Sequence, residues 1–182
     1  MLILAIDPGT TESGMVVYAP NEHIVGEHRV MSNHELLALV EERTQSVVPT
    51  CLAIEMLASM GMAVGAEVFE TCVWVGMFMH AWGYSEVVRV TRNQVKLHLC
   101  GSAKAKDQNV RQAIIDLFPS VGGGATPQIG TTKQPGPLFG MNSHMWPALG
   151  VALTVADMEK KRETARTANH RPALRGRPRV RL

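Results

Sequence analysis

An uninterrupted apolar run at residues 2–7 ends in an acidic residue, Asp7, and leads directly into a turn of proline, glycine and two threonines. A continuous apolar run of this length is typical of a buried strand. Burying the carboxylate of Asp7 is costly unless it is paired or binds a cation. The alternative is that its side chain caps the turn.

The rest of the chain divides into further strands and helices. Short apolar or alternating runs between turn residues predict strands, and longer runs with helical spacing predict helices. Ser32 predicts a helix start, because Glu35 three residues later completes a capping box. The remaining predicted strands are residues 14–19, 22–30, 51–55 and 86–91. The other predicted helices are residues 62–82, 94–99, 107–117 and 144–162.

The predicted elements form one domain. Residues 120–142 contain six of the chain's 16 glycines, which predicts a mobile loop. No interior linker divides the 182 residues, which are enough to bury a core. We therefore expect a single α/β domain over residues 1–165 and a basic tail over residues 166–182. The tail has little to bury, so we expect it to be disordered when unbound.

The formal net charge of +2 conceals a gradient along the chain. Residues 1–88 carry 11 acidic and 2 basic residues, and residues 89–158 carry 3 acidic and 7 basic ones. Residues 159–182 carry 2 acidic and 9 basic residues. An acidic half followed by a basic half suits a metal-dependent enzyme that acts on a polyanion. The alternative is a solvated tail that only aids solubility.

Three further features bear on the compartment of the protein. No stretch approaches the ~20 consecutive apolar residues that a membrane span requires. The first residues lack the basic region and cleavage site of a signal peptide. Three widely spaced cysteines suit buried thiols in a reducing cytosol better than a disulfide set. We therefore expect a cytoplasmic protein that does not associate with a membrane.

Three residues are candidate metal ligands. Asp7 and Glu55 each follow a buried strand, and His144 opens the last helix. Together they suit a hard divalent ion such as Mg²⁺ or Mn²⁺. Two such ions, roughly 4 Å apart, can clamp a phosphodiester. The alternatives are that Glu55 pairs with an arginine and that His144 only caps its helix or packs at the surface.

Basic residues form two candidate DNA-binding groups. The first lies beside a predicted helix start, where lysines and free backbone N–H groups can hold phosphate. The second is the tail, whose five arginines in eleven residues are interleaved with proline and glycine and can follow a groove. For the first group, a solvated charged face is the alternative. The residues are Arg92, Lys96, Lys104 and Lys106 in the first group and Arg171, Arg175, Arg177, Arg179 and Arg181 in the second.

Five blocks of the sequence, in this order, resemble the RuvC family of Holliday-junction resolvases, and especially the RuvC-like proteins of bacteriophages. The matching region spans roughly residues 2–158. Each block alone is weak evidence, whereas five in order are a specific pattern. The blocks are IDPGTTESGMVV at 6–17, AIE at 53–55, VTRNQVK at 90–96, GSAKAKDQNV at 101–110 and HMWPALGVA at 144–152.

The resemblance implies an RNase H-like fold with a mixed five-stranded sheet flanked by helices. It implies a Mg²⁺-dependent homodimer that nicks branched double-stranded DNA, as in phage recombination or DNA processing. The family's metal ligands carry over to Asp7, Glu55 and His144. Its basic residues match Lys96, Lys104 and Lys106 best. The long helix after Glu55 would be the dimer face.

The sequence departs from the family pattern in the last helix. Where the family usually has a second acid three residues after the first ligand, this chain has Pro147, whose side chain cannot bind a metal. Glu12 is a speculative substitute. Two alternatives therefore stand beside a nuclease: a DNA-binding module of the same fold with impaired chemistry, and a nucleotide-binding protein related to actin and sugar kinases. The last needs two such domains, which 182 residues cannot supply.

Overall fold

The structure is a computed structural model that describes residues 1–44, 50–58, 61, 63–83 and 86–169. Its strands are β1 (Ile3–Asp7), β2 (Glu12–Ala19), β3 (Ile24–Ser32), β4 (Cys51–Met56) and β5 (Glu86–Thr91). Its helices are α1 (Asn33–Thr44), α2 (Ala66–Trp82), α3 (Arg92–Cys100), α4 (Asp107–Asp116) and α5 (Met145–Asn169).

The strands form one mixed sheet in the order β3-β2-β1-β4-β5. β2 is antiparallel to both of its neighbours, β1 and β3, while β4 runs parallel to β1 and β5 runs parallel to β4. The predicted α/β class and the mixed five-stranded sheet flanked by helices are confirmed. The central position of β1 explains its apolar sequence, since it has a strand on each side and helices on both faces.

Two hydrophobic cores lie on opposite faces of the sheet. Ile3 and Ala5 of β1 point into the core beneath α3, α4 and α5. Leu4 and Ile6 point into the core beneath α1 and α2. All four side chains are fully buried, as the continuous apolar run predicts.

Local hydrogen bonds set the helix boundaries. The Ser32 hydroxyl accepts from the backbone N–H of Glu35, and the Glu35 carboxylate accepts from the backbone N–H of Ser32, so the predicted capping box is present. A second capping box joins Thr91 and Gln94, and it starts α3 at Arg92, two residues before the predicted start. α2 begins at Ala66 instead of residue 62, which lies outside the described residues.

The segment 120–142 contains no helix or strand, as predicted, but it is not an open chain. Backbone N–H groups of Gly122, Gly123 and Gly136 donate to carbonyls within the same segment. Leu138 is fully buried in the core beneath α5. The prediction of a loop is therefore confirmed, while its predicted mobility stays a prediction. Its compact internal structure is a feature that composition does not indicate.

α5 is longer than predicted and continues through residues 166–169, the first part of the predicted tail. Residues 170–182, with all five arginines of the second DNA-binding group, lie outside the described residues. The prediction of a tail disordered when unbound therefore stays a prediction. None of the helices in the described part of the chain is long and apolar enough to cross a membrane.

Candidate active site

Asp7 and Glu55 lie side by side at the ends of two neighbouring strands. β1 and β4 are parallel with Ile6 opposite Ile54, so the next residue of each strand comes to the same edge. By strand alternation both carboxylates point to the face covered by α5, the face of Ala5. The side chains are only 15% and 17% exposed. Two acidic groups are thus held close together and largely away from water.

His144 reaches the same edge from the far end of the chain. Its Nδ1 lies 3.0 Å from Oδ2 of Asp7, and because a carboxylate only accepts, the ring N–H is the donor. The residue before it, Ser143, has a positive φ of 31°. Non-glycine residues rarely adopt this region, and such strain concentrates at functional sites.

A glycine of β2 makes room for His144. A Cβ at Gly14 would lie 2.2 Å from the carbonyl oxygen of His144 and 2.7 Å from its Cβ. Any side chain at this position would push His144 away from the sheet. The glycine that follows the first turn in the sequence thus allows the close approach of a residue 130 positions later in the chain.

The turn after Asp7 is anchored by buried polar side chains. The Ser13 hydroxyl donates to the Asn33 side-chain oxygen over 2.6 Å and accepts from the N–H of Gly9 over 3.2 Å. The Asn33 amide closes the ring by donating to the carbonyl of Gly9 over 3.0 Å. Ser13 and Asn33 are fully buried. These bonds fix the turn and therefore the position of Asp7 next to it.

The other side of the site is basic. Nη1 of Arg92 lies 3.3 Å from Oε2 of Glu55, and Nη2 of Arg92 lies 3.1 Å from Oδ1 of Asp107. Nζ of Lys96 lies 3.1 Å from the same oxygen of Asp107. The expected alternative for Glu55, an arginine partner, is therefore present within the site itself. Arg92 and Lys96 are both held by acidic groups.

The acidic groups, His144 and Arg92 line a cleft of about 590 Å³. Pro147 lies on its wall, where the family pattern has an acid, and Glu12 is not among the lining residues. The lining residues are Asp7, Pro8, Glu55, Arg92, Asp107, Gln108, Val110, Arg111, Ser143, His144, Trp146 and Pro147.

The environment shifts the pKa values of both strand-end carboxyls. Burial raises the pKa of Asp7, although the hydrogen bond and charge of His144 act in the opposite direction. Burial and the neighbouring charge of Asp7 raise the pKa of Glu55 to about 7, against the opposing influence of Arg92. The two neighbouring carboxyls are therefore difficult to ionise at the same time. A bound cation would stabilise both in their ionised form.

The donor chemistry of the cleft fits a hard divalent cation. Asp7 and Glu55 offer carboxylate oxygens and His144 offers an imidazole nitrogen, a set that Mg²⁺ or Mn²⁺ accepts. Over the described ranges, no group of three or more His, Cys, Asp or Glu side chains is already arranged around a metal position. Asp7 is instead bonded to His144, and Glu55 to Arg92. The residue types therefore fit the ion. In this structure, however, the two carboxylates are bonded to His144 and Arg92 and do not surround a metal position.

The predicted DNA-binding residues fall into three groups. Arg92 lines the cleft, and Lys96 lies next to it through the ion pair that both make with Asp107. Lys104 and Lys106 are exposed before α4, and neither pairs with an acid within the described ranges. The tail arginines lie outside those ranges. Sequence reasoning missed Asp107, Arg111 and Trp146, although the spacing of Asp107 and Arg111, four residues apart on one helix, could have placed both on one face.

Comparison with known proteins supports the fold. No protein-family model and no curated protein sequence matches the chain. The solved structure of Thermus thermophilus RuvC matches with a TM-score of 0.61 and 20% identity, over 88% of this chain and 96% of that one. T. thermophilus RuvC in complex with Holliday junction substrate matches with a TM-score of 0.61 and 19% identity over the same shares.

A third structure is much less similar. A candidate sugar kinase from Cytophaga hutchinsonii has a TM-score of 0.31 and 13% identity, over 52% of this chain and 37% of its own. That similarity is too low to support an inference about function. The mixed sheet with a carboxylate edge and a closing C-terminal helix defines the RNase H-like class of folds. Within that class the chain has a RuvC-like fold.

Proposed function

We propose that this protein is a metal-dependent endonuclease that cleaves phosphodiester bonds in branched double-stranded DNA. The observation that carries the proposal is the convergence of Asp7, Glu55 and His144 in one cleft. They come from the first strand, the fourth strand and the segment before the last helix, so they are far apart in the sequence and meet only in the folded chain. The RuvC-like fold around the cleft supports the same function.

The residues of the cleft have distinct roles in this proposal. Mg²⁺ or Mn²⁺, when bound, would activate water and stabilise the leaving oxygen of the cut strand. Asp7, Glu55 and His144 are the residues that would hold the ions. His144 keeps the Asp7 carboxylate oriented through the 3.0 Å bond to Oδ2. Arg92 holds Glu55 and limits the repulsion between the two carboxylates.

Branched DNA is the substrate that we propose. The matching T. thermophilus structure was solved with Holliday junction substrate, and the exposed Lys104 and Lys106 add positive charge beyond the cleft. The tail arginines would extend this surface along the phosphate backbone. We place the protein in the cytoplasm of a bacterial host, in phage recombination or DNA processing, because the sequence resembles phage-encoded members most.

We further propose that two copies associate through α2. Phe69, Val73 and Met77 recur every four residues and are 62%, 56% and 37% exposed. They lie opposite the buried face of the helix, which includes Trp74 and Phe78. A second copy of the chain would cover this apolar stripe and place two clefts on one junction.

A nicking assay tests the proposed function. Synthetic four-way junctions and linear duplexes of the same sequence are incubated with the protein and Mg²⁺, Mn²⁺ or EDTA. We expect cleavage of the junction with either metal and none with EDTA. Asp7→Asn should lower the cleavage rate by at least about 100-fold yet retain junction binding, because it removes negative charge from the cleft and little DNA contact.

Asp116→Asn is the matched control, since it makes the same change on α4 outside the cleft and should cut like the wild type. Equal cleavage by Asp7→Asn and the wild type would contradict the proposal. So would cleavage that is unaffected by EDTA.

One observation favours a second candidate, a DNA-binding protein without effective cleavage. Pro147 occupies the cleft wall where a further acid would complete the ligand set. Proline is tolerated there sterically because it lies in the first turn of α5, where the backbone N–H has no helical partner. Tight junction binding with no nicking at any Mg²⁺ or Mn²⁺ concentration would favour this candidate.

A further inference from the structure

Arg111 stands apart from the other basic residues of the cleft. It is exposed on α4, one turn after Asp107, and its guanidinium carbon lies 4.8 Å from the ring centre of Trp146. Trp146 is the second residue of α5 and is almost completely buried. Both residues line the same cleft as Asp7. A positively charged side chain thus packs over a buried aromatic ring at the wall of the candidate active site.

Arg111 differs from Arg92 in its partners. Arg92 bridges Glu55 and Asp107, so its charge is already matched. Over the ranges that the structure describes, the side chain of Arg111 forms no ion pair or hydrogen bond, and it contacts the face of the Trp146 ring. Of the two arginines that line the cleft, Arg111 is therefore the one whose donors are available to a ligand.

The contact with Trp146 bears on which ligand suits Arg111. A guanidinium held over an aromatic ring by its charge still has N–H donors for a second partner. Those donors match the paired oxygens of a phosphate, which arginine often binds with two parallel hydrogen bonds. The buried ring also restricts the motion of the side chain, so less conformational entropy is lost on binding than with a free surface arginine.

We propose that Arg111, held by Trp146, binds the phosphate adjacent to the scissile one on the DNA strand that is cut. This inference rests on the proposed nuclease function and adds a substrate-positioning residue to it. The carboxylates of Asp7 and Glu55 repel phosphate unless cations intervene, whereas Arg111 attracts it directly. The phosphodiester backbone would therefore be held at one point by Arg111 and presented to the acidic edge beside it.

Single neutral phosphates in the DNA test the contact directly. Four-way junctions are made with one methylphosphonate at each position around the nick, and equilibrium binding is measured in the Asp7→Asn background, where the DNA stays intact. We expect one adjacent position to weaken binding roughly 10- to 100-fold, the range for a charge-assisted hydrogen bond. Arg111→Gln should weaken binding of unmodified DNA similarly and become insensitive to that position.

Two further variants separate a contact from a structural effect. Arg111→Lys keeps the charge without the paired donors, so it should restore part of the affinity and part of the sensitivity. Arg29→Gln is the matched control, because it removes an exposed arginine from β3, away from the cleft, and should keep the full sensitivity. Thermal unfolding of each variant checks that the fold is intact.

The outcomes distinguish this inference from the function on which it rests. If Arg111→Gln stays as sensitive as the parent protein to every neutral phosphate, Arg111 does not contact the backbone and the inference is wrong even when the nuclease assignment holds. If the wild type neither binds nor cuts any junction, both proposals are wrong.

Discussion

The two faces of the sheet are covered differently. One face carries α3, α4 and α5 over a core that extends from β1 to the long loop, and the cleft opens at its edge. The other carries α1 and α2, and α2 leaves Phe69, Val73 and Met77 exposed to solvent. The first face therefore has a polar cleft at its edge, whereas the helix on the second face exposes an apolar stripe to solvent.

This difference assigns separate tasks to the two faces. On the first face, Gly14 makes room for His144 instead of adding apolar contact area. On the second face, apolar area remains uncovered, and that is the property of an association surface. Changes on the first face should therefore alter chemistry without changing association. Changes on the second face should alter association without changing chemistry.

The largest effect is expected from Gly14→Ala. The added Cβ would lie 2.2 Å from the carbonyl oxygen of His144 and displace that residue from Asp7. We expect junction cleavage to fall by about 100-fold or more, the usual cost of misplacing a catalytic group by 1 Å. Gly26→Ala on β3 is the control, because its Cβ would meet no atom closer than 3.4 Å. Wild-type cleavage by Gly14→Ala would show that the position of His144 is unimportant.

Glu55→Gln should stabilise the metal-free protein at alkaline pH. The pKa of Glu55 is raised from 4.5 to about 7, so the fold favours the neutral acid. The stability from this group is present below pH 4.5 and is lost as the pH rises through about 7. The free energy of unfolding of the variant should exceed that of the wild type by up to about 3 kcal/mol at pH 8 and by almost nothing at pH 4.

Urea unfolding in EDTA across this pH range measures the difference. Glu41→Gln, an exposed change on α1, should give a difference that does not vary with pH in this way. A pH-independent difference for Glu55→Gln would mean that its carboxylate is already well stabilised by Arg92.

Val73→Glu tests the second face. It would place a charge from each copy within the proposed α2 interface, and we expect dimer dissociation to become easier by about 2 kcal/mol or more. Sedimentation velocity at a series of protein concentrations measures this. Ile24→Glu, at another exposed apolar residue, should leave association unchanged. An unaltered dimer, or a wild type that is monomeric at every concentration, would remove α2 as the dimer face.

The smallest effect is expected from deletion of residues 170–182. The loss of five arginines should weaken binding to every DNA shape, by about tenfold at moderate salt, and flatten the dependence of affinity on salt. The measurement is a binding titration at several salt concentrations. An unchanged salt slope would show that the tail does not contact phosphate.

The sequence predicts the framework of the first face well. The apolar run before Asp7, the strand before Glu55 and the helix after His144 are strong local signals, and the parallel pairing of β1 with β4 is the step that joins the two acids. The structure brings the three residues to one cleft, which the sequence spacing alone does not establish. That they bind a metal stays a prediction.

The basic wall of the cleft could not be predicted in the same way. Whether Arg92 contacts Glu55, and whether Arg111 meets Trp146, depends on how α3 and α4 pack against α5. Those contacts join residues far apart in the chain, and no periodic pattern encodes them. The compact loop before His144 is also held by non-periodic backbone bonds, which composition alone cannot reveal.

The contact between Asp7 and His144 joins residues 137 positions apart. During translation, Asp7 emerges from the ribosome long before His144 has been added to the chain. A growing chain can therefore form its early hairpin while the cleft still lacks its imidazole and its Trp146 wall. The proposed nuclease activity would therefore be absent until the last helix has docked, after the synthesis of most of the chain.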